Sequence, residues 1–312
     1  MSKVAAVELL DHLNSVTTIP IIPFRNEQID FEAHRTNIRY LMQNNHLSDG
    51  RPRVICVAGT SLIHHLDPVE QTRLLQITAD TMGDEGILIS ALMPNPLKIM
   101  QQLTEEQLDL HRPPDAFLIM PMVGIYTSGG LYTTLMKQAD RYGPKDAKFI
   151  FYHRNQRDSA QVIQLIRESP HFIGVKVGTS EEDVPKLVEE IGESGIVIWG
   201  KGDRSTKAAQ LGSKGHTSGI SVLYAKAGDL INNAQREGDY DRSQEIEKRV
   251  APLEELRFEN GRENNYTAVV EAMILSGFLD IDAGEGGPFN PRVSAEVSER
   301  VQAAIRNLED LH

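Results

Sequence analysis

The chain is poor in cysteine, in aromatic residues and in positive charge. Of its 312 residues one is cysteine, Cys56, one is tryptophan, and aromatic side chains make up 6%. A solitary cysteine cannot close an internal disulfide, which points to a reducing, cytoplasmic setting. Lys and Arg total 32 against 44 Asp and Glu, a net charge of -12 with a pI near 5.3. That balance lacks the electrostatic footprint of a nucleic-acid partner or an anionic membrane partner. The longest apolar run, Ala116 to Ile125, falls far short of the ~20 residues that span a bilayer. Met1-Ser2-Lys3, followed by Glu8 and Asp11, offers no secretory apolar region. Disorder is excluded as well, since 40% of the residues are hydrophobic and 24% charged. The expectation is a cytoplasmic globular protein of enzyme size.

What the sequence does contain is alternation. Short apolar runs trade places with longer amphipathic stretches along most of the chain. Thr18 to Phe24 predicts a first strand, Val54 to Ala58 a second, Ile87 to Leu92 a third and Ala116 to Met122 a fourth. Phe149 to His153, Phe172 to Val177, Ile196 to Trp199 and Gly219 to Leu223 supply four more. Asp67-Pro68-Val69-Glu70 marks a helix start, with an N-cap acid, proline at the first helical position and glutamate at the third. Strands that are apolar on both faces and separated by helices predict a parallel sheet covered by helices. The count of eight selects a (β/α)8 TIM barrel, an α/β fold, over an open doubly wound sheet. Beyond Gly238 the strands stop, and 240–257, 266–278 and 293–311 carry helical periodicity. The division expected is 1–238 for the barrel carrying the active site and 239–312 for a C-terminal three-helix appendage.

Barrel active sites lie at the C-terminal ends of the strands. The sixth predicted strand runs Phe172-Ile173-Gly174-Val175-Lys176-Val177-Gly178. Its period-two alternation puts Ile173, Val175 and Val177 on one face, towards the helices. Lys176 then points inward, with Gly174 and Gly178 making room on either side. Desolvation disfavours the ammonium of a buried lysine, and a neutral amine is the species that attacks a carbonyl to form a Schiff base. The bland alternative, a lysine snorkelling to solvent, has no exit from a central strand except the barrel mouth. Tyr152, ending the fifth strand, stands in the same register and suits a proton shuttle. Gly59-Thr60-Ser61, after the second strand, brings two hydroxyls for a carboxylate and for proton transfer.

These residues resemble the family of dihydrodipicolinate synthase and N-acetylneuraminate lyase, the Schiff-base aldolases on (β/α)8 barrels. Ile173-Gly174-Val175-Lys176 is similar to its I-G-[IV]-K, Tyr152 to its strand-five tyrosine, and Gly59-Thr60-Ser61 to the start of its G-T-T-G-E. Gly202-Asp203 resembles the strand-seven G-D, and Gly219-Ile220-Ser221-Val222 the strand-eight G-[VI]-[IV]-S. The resemblance implies Lys176, Tyr152, Thr60 and Ser61 as catalytic residues. It implies Gly59, Arg157, Gly202, Asp203, Ile220 and Ser221 as substrate-binding residues, Arg157 where the synthase branch places an arginine for a dicarboxylic substrate. It also implies a small-molecule 2-keto acid as partner, no cofactor and no metal, and a homotetramer or homodimer. Departures are visible. Leu62-Ile63 replace Gly-Glu, His153-Arg154-Asn155 follow the tyrosine, and Met122-Val123 stand where the synthase branch has a tyrosine pair. Pro252 to Arg257, Val270 to Met273 and Pro288-Phe289-Asn290-Pro291 resemble the branch that dehydrates keto-deoxy sugar acids.

Other signals carry bland explanations. His64-His65 are adjacent in a loop and diverge, so solvent-facing or structural roles outweigh metal binding. Ser128-Gly129-Gly130 suits helix capping, Gly212, Gly215 and Gly219 lack a basic residue aligned for phosphate, and Cys56 suits a packed thiol. Arg154 and Arg157 are either loop surface or carboxylate ligands near the mouth. The activity expected is that of a class I lyase dehydrating or cleaving a 2-keto-3-deoxy sugar acid. The alternatives are condensation of pyruvate with aspartate semialdehyde, as in dihydrodipicolinate synthase, and a catalytically silent keto-acid-binding homologue.

Overall fold

In a computed structural model of the chain, which describes residues 6–59 and 61–312, eight short, fully buried segments lie side by side. They are β1 (Val16–Thr18), β2 (Val54–Val57), β3 (Ile87–Leu92), β4 (Ala116–Ile119), β5 (Phe149–His153), β6 (Phe172–Val177), β7 (Ile196–Trp199) and β8 (His216–Ser218). Every pairing among them is parallel, and β1 pairs with both β2 and β8, so the ring closes. Helix α1 (Ala6–Leu13) precedes β1. A helix then follows each strand: α2 (Phe31–Gln43), α3 (Pro68–Met82), α4 (Leu97–Leu108), α5 (Ser128–Tyr142), α6 (Ser159–Glu168), α7 (Val184–Ile191), α8 (Thr206–Gln210) and α9 (Ala225–Glu237). Three more close the chain: α10 (Tyr240–Phe258), α11 (Thr267–Ser276) and α12 (Ala295–Ala304). The expected (β/α)8 barrel with C-terminal helices is the fold of this protein. None of the helices among the described residues is long and apolar enough to cross a membrane.

Six of the eight strands fall inside the apolar runs that predict them, and α3 begins at the expected capping box of Asp67 and Glu70 with Pro68 behind it. The first and last strands differ. The run from Thr18 to Phe24 is buried, but Pro20 and Pro23 have no N–H to give a ladder, so pairing is confined to Val16–Thr18. After it comes a small antiparallel hairpin, Phe24–Arg25 against Gln28–Ile29. At the other end, Gly219 to Leu223 is a buried turn, with Leu223 and Tyr224 donating back to the Ile220 carbonyl. The paired strand is the polar His216–Ser218, two of whose side chains meet Asp203: Ser218 Oγ donates to it at 2.6 Å, and His216 Nε2 lies 3.3 Å from it. An apolar-run criterion selects burial, and at both ends of this barrel burial and pairing part company.

The ring is braced from outside by one buried ion pair. Arg53, immediately before β2, and Asp229, in α9, are both fully buried, and two guanidinium nitrogens meet the carboxylate at 2.6 and 2.7 Å. The remaining donors of Arg53 reach the carbonyls of Leu41 and Asn44, and Asp229 also accepts from the His46 N–H. The pair thus ties the second strand to the last helix of the barrel. Removing one partner strands a buried charge, so Asp229→Ala is expected to lose about 3–5 kcal/mol. The joint replacement Arg53→Met with Asp229→Leu is expected to lose less than Asp229→Ala alone. Urea unfolding midpoints of the three proteins decide it, and a double variant at least as unstable as the single one would contradict this account.

Candidate functional site

Register alone brings Lys176 and Tyr152 together. Tyr152 of β5 pairs directly with Lys176 of β6, and Lys176 pairs with Ile198 of β7. Their side chains leave the ladder on the same side, and the ammonium nitrogen of Lys176 sits 4.3 Å from the centroid of the Tyr152 ring. Lys176 is 2% exposed and Tyr152 1%.

The glycines act differently from the sequence expectation. A Cβ at Gly174 would strike Ile196, one at Gly178 the Tyr152 ring. The glycine that clears the stem of Lys176 is Gly200, just beyond β7, where a Cβ would stand 2.9 Å from Cγ of Lys176. The outward trio is also corrected. A register shift beside Phe149 and Ile150 puts Ile173 in the cluster of Ile150, Ile196 and Ile198, while Val175 and Val177 pack towards the helices.

Electrostatics at the pair follow from burial and from nearby arginines. Desolvation depresses the Lys176 amine below its ordinary 10.5, and the positive charges of Arg262 and Arg154 push the same way. The phenol of Tyr152 feels burial pushing it up, but Lys176, Arg262 and Arg154 together hold it below its ordinary 10.0. Arg262 is the surprise. It comes from the connection between α10 and α11 and places Nη1 3.4 Å from the Tyr152 hydroxyl, 110 residues away in sequence. Backbone strain aims it there: Asn260 has φ 47° and Arg262 φ 78°, both left-handed, on either side of Gly261 at φ 73°.

The remaining candidates divide. Thr60 lies outside the described residues. Gly59 and Ser61 stand next to Ala58 (φ 59°) and Leu62 (φ 50°), both left-handed. The Ser61 hydroxyl accepts the Ile22 N–H at 3.1 Å and faces a small crevice with Arg257 and Tyr266, so it is anchored to the first strand's extension. A Cβ at Gly59 would strike Ile19, so that position is a close packing point. Arg157 does not join the group: it is paired to Asp158 at 3.3 Å, donates to the Tyr126 carbonyl and stacks on the Tyr126 ring. Asp203 is turned inward onto His216 and Ser218. Gly202 sits hard against Glu254, and Ile220 and Ser221 are fully buried in the turn after β8. These four form the floor under the C-terminal helices, where Glu254 holds Arg257 and the Asp203 N–H.

Sequence reasoning missed Arg262, Gly200 and Arg204 at the end of β7. Arg154, one residue beyond β5, was legible as either loop surface or a carboxylate ligand near the mouth. Nothing local marks Arg262, because its relevance arises only when the C-terminal helices fold back over the barrel. Among the described residues, no group of three or more His, Cys, Asp or Glu side chains is placed to hold a metal ion.

The Dihydrodipicolinate synthetase family model matches residues 144–307 of the chain. A 4-hydroxy-tetrahydrodipicolinate synthase of Oenococcus oeni is 24% identical over 240 residues, covering 75% of this chain and 79% of that protein. Among solved structures, the dihydrodipicolinate synthase from Oceanobacillus iheyensis superimposes with a TM-score of 0.87 at 18% identity, covering 98% of this chain and 100% of the other. The chloride-inhibited dihydrodipicolinate synthase from Acinetobacter baumannii, complexed with pyruvate, gives 0.82 at 18% identity, covering 96% and 99%. At these identities the structural likeness speaks for the fold.

The electrostatic account has a direct check in the reactivity of Lys176. Reductive methylation mapped by mass spectrometry across pH is expected to show a midpoint below 10.5. Arg262→Met removes a cation that favours the neutral amine, so the midpoint is expected to move to higher pH. Tyr152→Phe removes the phenol whose charge, when ionised, favours the ammonium, and the midpoint is expected to move lower. Midpoints that stay put in both variants would contradict it.

Proposed function

As a member of the dihydrodipicolinate synthetase family, whose homologues are class I aldolases and lyases, this chain is an enzyme of that class, and we propose that Lys176 forms a Schiff base with the C2 carbonyl of a 2-keto acid. One observation carries this: a lysine amine held out of water inside a closed barrel, against a phenol and, among the described residues, with no carboxylate partner. In its neutral form the amine attacks C2, and the carbonyl oxygen takes up a proton to give a carbinolamine. Loss of water then leaves an iminium, with Tyr152 delivering and recovering the protons. The iminium withdraws electrons from C3. Removal of a C3 proton gives an enamine, which expels hydroxide from C4 as water when that oxygen is protonated. If instead the C4 hydroxyl loses its proton, the C3–C4 bond breaks and its electrons pass to the iminium, releasing an aldehyde and leaving pyruvate on the lysine.

Dehydration or cleavage of a 2-keto-3-deoxy sugar acid is the reaction favoured here. Arg157, which stands where the synthase branch places an arginine for a dicarboxylic substrate, is engaged with Asp158 and Tyr126. The second reading, condensation of pyruvate with aspartate semialdehyde, is supported by the names of the curated relatives.

Incubation with pyruvate and borohydride, followed by intact-mass analysis, is expected to show one reduced adduct, mapped to Lys176 and lost in Lys176→Ala. An adduct that survives Lys176→Ala, or none in the unmodified protein, would sink the mechanism and leave the silent-homologue alternative. Tyr152→Phe is expected to lower kcat by a factor on the order of 10²–10⁴. Product analysis with 2-keto-3-deoxy sugar acids, and separately with pyruvate plus aspartate semialdehyde, separates the two readings. Turnover of the second pair alone would overturn the first.

A further inference from the structure

The mouth of the barrel holds more positive charge than one carboxylate would neutralise. Arg154 projects beside Tyr152, its Cγ packed over Gly178. Lys201 and Arg204 leave the end of β7, where they line a cavity of about 330 Å³ with Trp199, Glu181 and Glu182. Arg262 reaches the Tyr152 hydroxyl from above. Among the described residues, none of these four cations lies within ion-pair distance of a carboxylate, and Nε of Arg204 is buried without a partner. Arginines close by are paired: Arg257 with Glu254, Arg157 with Asp158, Arg300 with Glu259.

Phe258, at the end of α10, explains how the unpaired arginines are held. The guanidinium carbons of Arg204 and Arg262 lie 4.7 and 5.2 Å from the centroid of its ring. A ring face fixes a guanidinium plane without neutralising its charge, so the bidentate donors remain available to an anion. The strained backbone at Asn260 to Arg262 serves the same placement. Glu181 and Glu182 line the Lys201 cavity as well, and Glu181 offsets part of the charge on Lys201.

We propose that Arg154, Arg204 and Arg262 receive a second anionic group at the far end of the substrate, making the substrate a 2-keto acid with a carboxylate or phosphate tail. This rests on the Schiff-base reading, which fixes the other end of the substrate at Lys176. Tyr152 spans the interval, its ring over the amine and its hydroxyl at Arg262. The loop after the seventh strand is also a recurrent place for phosphate in this fold.

The test measures borohydride trapping at Lys176 against ligand concentration, with pyruvate as the control. Two matched pairs are compared: 2-ketoadipate with 2-ketohexanoate, and 2-keto-3-deoxy-6-phosphogluconate with 2-keto-3-deoxygluconate. In at least one pair the anion-tailed acid is expected to half-saturate at a concentration about tenfold or more lower, and added salt is expected to shrink that ratio. The pair with the larger ratio tells carboxylate from phosphate. In Arg204→Gln and in Phe258→Leu the ratio is expected to fall towards one. Arg154→Gln, at an exposed loop position where folding is not at stake, is expected to lower it too. Ratios near one in both pairs, with pyruvate trapping normally, would overturn the inference alone. So would variants that weaken both members of a pair equally, which would assign the arginines to the carboxylate of the keto acid itself. Failure of pyruvate to trap would remove the Schiff-base reading, and this inference with it.

Discussion

Closure of the strand ring is the constraint on which everything else depends. Because β1 pairs with β8 as well as β2, the ring has no open edge, and the interior is reachable only from the two ends. A polar side chain pointing inward must therefore sit near a rim or be satisfied within the wall. Lys176, one residue from the end of β6, meets the first condition, and His216 and Ser218, bonded to Asp203, meet the second. One geometric rule produces a chemically available amine on one strand and a silent polar network two strands away.

Fold class was legible because six strands are continuous apolar runs and their number is diagnostic. What escaped was escaped for identifiable reasons. Pro20 and Pro23 keep an apolar segment buried yet unpaired, and β8 is a polar strand flanked by an apolar turn. Periodicity measures burial of side chains, whereas a strand is defined by backbone donors. The two diverge wherever proline intervenes or a buried polar residue finds its own partner.

The site was half legible by the same logic. Alternation along β5 and β6 put Tyr152 and Lys176 on one face, and the register then made them neighbours. Arg262 comes from a helix connection far along the chain and bears no local pattern, so only tertiary folding shows it. Asp203, Gly202, Ile220 and Ser221 lie at matching places in the motifs; here the Asp203 carboxylate meets His216 and Ser218, Gly202 lies against Glu254, and Ile220 and Ser221 are buried in the turn after β8. A motif preserves the position of a residue on the fold; the direction of its side chain belongs to the neighbours it meets.

The arginines at the mouth belong to a chain whose net charge is -12, and the combination acts on an anion in two opposite senses. Far from the protein the anion meets a repulsive envelope, while inside the mouth low-dielectric walls focus the field of the cations and draw it in. Salt reaches the outer field first, since at 0.1 M charges more than about 10 Å apart are largely screened. Moderate ionic strength therefore eases the approach of an anion even as it loosens its hold. Arrival and residence become separately adjustable, the first by the acidic surface and the second by a few arginines.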